Sequence, residues 1–131
     1  MTTLTTSIRP IVEKYYALID GGRLAEAGAM YTDEVKLTFA NADPVYGRAA
    51  AEASIQHVLD QTTAIKHDIV TFWDEQASDG ASVAFFEIRI TYHLKSGRVI
   101  TNPGCVVAVV DDDGRFTEQR LYGDLSNVFA G

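Results

Sequence analysis

Apolar residues recur at helical spacing near the start of the chain. Ile8, Ile11, Val12, Tyr15, Leu18 and Ile19 form one stripe, and Arg9, Glu13, Lys14 and Asp20 fall mostly outside it. The spacing predicts a helix over about residues 7–20. It starts near Thr6 or Ser7, because Pro10 is tolerated only in a first turn, where amide hydrogens lack helix partners anyway. Gly21-Gly22 ends it, since glycine accepts the left-handed conformation at a helix C-terminus. A second short helix is predicted from Leu24 to Tyr31, with Leu24, Ala27, Met30 and Tyr31 inward, and Thr32-Asp33 breaks it. Val35 to Phe39 alternates as a short strand, and Asn41-Ala42-Asp43-Pro44 reads as a loop. Gly47 precedes a third helix, about Arg48 to Gln61, that buries Ala51, Ile55, Val58 and Leu59.

After residue 65 the period changes to that of strands, over about 66–76, 81–94, 98–111 and 115–129. Ser78-Asp79-Gly80, Lys95-Ser96-Gly97 and Asp112-Asp113-Gly114 separate them, and Asp-Gly is a strong hairpin signal. Helices followed by an antiparallel meander predict an α+β domain: three N-terminal helices on a curved, mostly antiparallel sheet, with a pocket between the layers.

A length of 131 residues fits one domain spanning 1–131, and 47% hydrophobic with 22% charged residues is a globular mix. The net charge of −7 argues against nucleic-acid binding, which needs clustered Lys and Arg. Cys105 alone cannot form an internal disulfide, and its apolar neighbours suggest a small hydrophobe in a strand. No run of about 20 apolar residues suggests a membrane span, and Met1 to Thr6 lacks the marks of a signal peptide, so a cytoplasmic location is expected. His57, His67 and His93 lack metal-ligand spacing, and Asp111-Asp112-Asp113-Gly114 lacks the ligand order and final Glu of a calcium loop. No metal and no cofactor are expected.

The segments Val12 to Leu24, Met30 to Val35, Tyr46-Gly47-Arg48 and Gly114 to Asp124, in this order, resemble the SnoaL-like branch of the nuclear transport factor 2-like superfamily. That resemblance implies a cone-shaped α+β fold, a hydrophobic pocket for a small apolar molecule, and commonly a homodimer through the open sheet face. It does not choose a chemistry, because the superfamily includes isomerases, cyclases, epoxide hydrolases, dehydratases and proteins that catalyse nothing.

Each chemistry implies its own residues. For a ketosteroid isomerase, Tyr15 matches the enolate-stabilising Tyr, but Phe39 or Thr38 stands where the carboxylate base belongs, and Asn102-Pro103 near the second acid. For an epoxide hydrolase, Asp124, Arg89 and Asn41 match three positions, while Thr91 replaces an acid and Phe39 a Tyr. Arg89 shares a strand face with Glu87, Thr91 and His93, opposite Phe86, Ile88, Ile90 and Tyr92, so it points away from an apolar pocket unless a bulge flips it. For a cyclase, Asp124 is the acid/base residue, with Tyr122 on its face; its other reading is a turn residue at the strand end. For a scytalone-type dehydratase, His67 and Asp20 match the His–Asp pair, and the second His position holds Phe86 or Tyr92.

The expected function is acid–base chemistry on a small, largely apolar molecule. Asp124 is the expected base, Arg89 its charge partner, and Asn41 or His67 the polar helpers. Tyr15, Phe39, Trp73, Phe86 and Tyr122 are expected to wall the pocket. The competing reading is a binding or dimerising module without catalysis.

Overall fold

A computed structural model describes residues 7–77 and 79–130. The expected helix start at Thr6, the stretch Met1 to Thr6 and the turn residue Ser78 lie outside them. The first helix, α1 (Arg9–Asp20), buries Val12, Tyr15 and Ile19, as its apolar stripe requires. It ends as the glycine pair predicts: Gly22 takes φ +76, and the Arg23 amide donates back to the Leu18 carbonyl at 2.8 Å. The second helix, α2 (Leu24–Gly28), is shorter than its spacing suggests. Tyr31 belongs instead to strand β1 (Tyr31–Phe39), where parallel pairing with the last strand outweighs the local helical pattern. A two-residue strand, β2 (Val45–Tyr46), follows where the sequence suggests only the end of a loop, and α3 (Arg48–Leu59) comes next.

Four long strands complete the sheet: β3 (Thr62–Gln76), β4 (Ser82–Leu94), β5 (Val99–Val110) and β6 (Phe116–Gly123). They form the expected antiparallel meander in a curved six-stranded sheet of order β2-β1-β6-β5-β4-β3. Only β1 and β6 pair in parallel. One expectation needs correction. Residues 126–129 are a short helix, α4 (Ser126–Phe129), not the end of a strand. The described residues therefore hold four helices, two of them short: α1 to α3 in the N-terminal half and α4 after the last strand.

Carboxylates fasten α1 to β3 at both ends. Asp74 on β3 accepts the Ile8 amide at 2.7 Å and the Ser7 hydroxyl at 2.8 Å, an anion at a helix N-terminus. Asp20, the last residue of α1, accepts the backbone amide of His67 on β3 at 2.9 Å. These two anchors fix the helix across the strand and set the position of everything between them.

Side chains on β4 alternate strictly. On β4, Ala84, Phe86, Ile88, Ile90, Tyr92 and Leu94 are buried beneath the helices, while Phe85, Glu87, Arg89 and His93 face outward. The core runs from Val12, Tyr15 and Ile19 through Tyr31 and Val35 to Ile88, Val110 and Phe116. Among the described residues, no helix is long and apolar enough to cross a membrane.

Candidate functional site

Between α1, α3 and the inner face of the sheet lies a cavity of about 60 Å³. Its wall is mostly aliphatic and aromatic, with Ile19, Leu37, Ile55, Ile65, Ile90 and Leu121 among the apolar members. The polar groups on it are Tyr15, Tyr16, His67, Tyr92, Gln119 and Arg120. A wider cleft of about 640 Å³ lies outside, between the residues after β1, α3 and α4. Phe39, Val58 and Leu125 line both spaces, so they form the partition between them.

His67 is the best-organised polar group on the inner wall. Its Nδ1 lies 2.5 Å from Asp20 Oδ1, while its own backbone amide donates to Asp20 Oδ2 at 2.9 Å. The ring also stacks on Tyr16, with centroids 4.5 Å apart and planes 26° from parallel. Tyr16 and Asp20 are four residues apart, so one face of α1 carries both the stacking ring and the carboxylate. With Nδ1 committed to a carboxylate, Nδ1 carries the proton and Nε2 is the acceptor nitrogen. Nε2 makes no hydrogen bond among the described residues.

Three phenols, Tyr15, Tyr16 and Tyr92, also line the cavity. Tyr15 and Tyr31 share a short hydroxyl–hydroxyl hydrogen bond, and the Tyr31 hydroxyl reaches Gln119 Oε1 at 3.4 Å. Burial, above all, holds Tyr15, Tyr16, Tyr31 and Tyr92 well above the ordinary phenol range. They are neutral hydrogen-bonding groups near neutral pH. The Arg120 guanidinium sits 2.9 Å from Glu118, whose hydrogen bond is the main cause that raises its pKa.

The SnoaL-like domain family matches residues 12–119, most of the chain. This chain belongs to the SnoaL-like domain family. No curated protein matches the sequence. Among solved structures, Aln2 from a Streptomyces species superposes with a TM-score of 0.81 at 16% identity, over 98% of this chain and 100% of that one. An NTF2-like protein of unknown function from an Exiguobacterium species reaches 0.74 at 18% identity, over 87% and 98%. A candidate scytalone dehydratase from Novosphingobium aromaticivorans reaches 0.74 at 14%, over 89% and 81%. At such identities the likeness establishes the fold.

In this SnoaL-like domain the residues singled out from sequence divide into two groups. Tyr15, Phe39 and His67 line the inner cavity. Asn41 and Asp124 line only the outer cleft. The Asp124 carboxylate is fully exposed and accepts the amide of Ser126, the first residue of α4, at 2.9 Å, which lowers its pKa. It lacks the apolar surroundings that would raise a carboxyl group into a base's range. Arg89 lies on the outward face of β4, opposite Asp68 and Pro103, because β4 keeps its alternation through that register. The expected Asp124–Arg89 partnership is therefore not assembled in the cavity.

Three expected wall residues are also elsewhere. Trp73 is 55% exposed on the outer face beside Phe85, and Tyr122 is 54% exposed. Phe86 is buried, but it packs against Phe72 and Tyr16 and does not reach the cavity. Sequence reasoning gave no site role to Tyr16, Tyr31 and Gln119, and met Tyr92 only as one of two residues at a second His position. The signal for Tyr16 is its i, i+4 relation to Asp20. Gln119 is a polar residue at an inward position of β6, which only the register with Ala108 reveals.

Proposed function

We propose that the protein is an acid–base catalyst for a small apolar molecule, with His67 as the base and Asp20 as the carboxylate that orients it. The single observation that carries this reading is His67 on the wall of a mostly apolar cavity, with its Nδ1 held by Asp20. Nε2 takes a proton from a carbon adjacent to a carbonyl, and the electron pair passes to the carbonyl oxygen. The same proton then returns to another atom of the substrate, giving isomerisation or ring closure, or leaves with a departing hydroxyl as water. The name of the Novosphingobium neighbour agrees with the dehydration branch.

The direct test needs no natural substrate. A ketone carrying deuterium next to its carbonyl, such as 2-indanone, exchanges label with water when that carbon is deprotonated. The protein accelerates this exchange saturably, and His67→Gln lowers the rate by about 10²–10⁴-fold, the usual contribution of a positioned base. No acceleration over buffer, or an unchanged rate in His67→Gln, overturns the reading and favours a non-catalytic ligand-binding module. Asp124 and Arg89, both away from the inner cavity, are the observations that favour that second reading.

We also propose that two copies meet through the outer sheet face. Val70, Trp73, Phe85, Val99 and Tyr122 leave large apolar surfaces exposed, four of them on the long strands β3 to β5. A solution mass of a single chain at micromolar concentration would refute this.

A further inference from the structure

Tyr92 as a whole is 2% exposed, but its hydroxyl is not among the buried polar atoms left without a partner: it opens on the cavity and makes no hydrogen bond to any described residue. The other fully buried phenols on the cavity side, Tyr15 and Tyr31, satisfy each other. Tyr92 cannot do the same, because its neighbours across the sheet are Ile65 on β3 and Ile100 on β5. A hydroxyl that opens on a cavity and has no protein partner is free to pair with whatever fills that cavity. Tyr92 lines the cavity, so a group lodged there is the one able to pair with it.

Its placement relative to His67 is also informative. In the β3–β4 ladder His67 stands opposite Ile90, and Tyr92 opposite Ile65. Tyr92 and His67 are thus diagonal neighbours on one inner face, a spacing that aromatic side chains bridge. The cavity wall carries no carboxylate, and its one guanidinium is already held by Glu118. An anionic ligand finds no free guanidinium or ammonium there, and a cation finds no counter-charge. The inner space of about 60 Å³ takes only a few heavy atoms, whereas the cleft beyond Phe39, Val58 and Leu125 offers about 640 Å³.

We infer that Tyr92 is the anchor for a ligand oxygen. The inner cavity takes the carbonyl or hydroxyl end of an uncharged molecule, and the apolar body of that molecule lies past the partition in the outer cleft. The inference rests on the reading of this cavity as the ligand site. It adds a residue, a direction of entry and a substrate class to the His67–Asp20 dyad. With the oxygen on Tyr92, the carbon beside it comes within the range of His67 across the diagonal.

The test compares 2-naphthol with naphthalene, two probes of one shape, by NMR titration against the full chain. The hydroxyl strengthens binding to the wild type relative to naphthalene. Tyr92→Phe lowers that preference about tenfold and leaves naphthalene affinity unchanged, the size of one net hydrogen bond. Tyr92→Phe removes only an unpartnered hydroxyl, so it folds and is at least as stable as the wild type. An unchanged preference in Tyr92→Phe, or no saturable binding of either probe to the wild type, overturns the inference. Tighter binding of 2-naphthoate than of 2-naphthol overturns the uncharged class. The naphthol preference is read in binding and the role of His67 in deuterium exchange, so failure of the dyad and failure of the anchor appear in different assays.

Discussion

Asp20→Asn isolates the chemistry of the dyad from its packing, because the side chain keeps its size. In the wild type the two carboxylate oxygens divide the work: Oδ2 takes the His67 amide at 2.9 Å and Oδ1 faces Nδ1 at 2.5 Å. An Asn has one acceptor oxygen. If that oxygen keeps the backbone amide, the Asn amide nitrogen faces Nδ1 and donates to it. The imidazole then switches tautomer, Nε2 carries the proton, and the free acceptor nitrogen disappears. The energetic change is the loss of charge assistance in two hydrogen bonds. Charge-assisted bonds contribute about 1.5–3 kcal/mol and neutral ones about 0.5–1.5. The Asp20 side chain is 21% exposed and that of His67 9%, so solvent screening places the effect toward the lower end, roughly 1–2 kcal/mol. A domain with about 5–15 kcal/mol of stability stays folded through this. Urea denaturation should show a midpoint about 0.5–1 M lower, with an unchanged slope. Long-range proton–nitrogen NMR should find the proton on Nδ1 in the wild type and on Nε2 in the variant, with deuterium exchange lost. An Nδ1 proton retained in Asp20→Asn, with exchange at the wild-type rate, would refute the assigned role of Asp20.

Four further outcomes follow from the same geometry. Burial raises the pKa of Tyr15, Tyr16, Tyr31 and Tyr92, so the folded state retains protons that the unfolded chain releases above about pH 10. Stability is therefore full below that pH and falls above it, by up to about 1.4 kcal/mol per pH unit for each ring; tyrosinate absorbance from these rings should appear together with loss of circular dichroism, and ionisation in a native fold would contradict their burial. The Ser126 amide lowers the pKa of Asp124, so the contribution of this hydrogen bond is present above the ordinary value of 3.8 and lost on acidification through the folded value. Asp124→Ala should be less stable than the wild type at pH 7, converge with it in acid, and leave deuterium exchange unchanged. Cys105 is free and exposed on the outer sheet face, so a thiol reagent should label it slowly in the dimer and quickly in Phe85→Lys, whose charge splits the pair; equal rates would argue against that interface. Gly22 closes α1 at φ +76, so Gly22→Ala should cost about 1–2 kcal/mol in chemical denaturation, a strain that shows as a lower melting temperature.

Much of the fold is legible in the chain order. The period of 3.6 in residues 8–19, the glycine pair after Asp20, the Asp-Gly hairpin and the alternation along β4 are all short-range signals, and each states its own element. Even the outward direction of Arg89 can be read, since it follows from the apolar alternation of its neighbours. The exceptions are places where partners distant in sequence overrule local preference. Tyr31 becomes a strand residue because β6 pairs with it, and residues 126–129 turn into a helix that buries Val128 in the core.

The candidate site was less legible, for the same physical reason. The sequence determined on its own that this is an α+β chain with an apolar interior, that three of its residues are histidines, and that Asp20 and His67 are each compatible with a proton-transfer pair. Only the tertiary structure decided which acids face that interior. A carboxylate acquires chemistry from its surroundings, and those surroundings are assembled by α1 lying across β3, a contact between residues 47 positions apart. The same packing left Asp124 in solvent beside α4 and put the unpartnered hydroxyl of Tyr92 on the cavity wall.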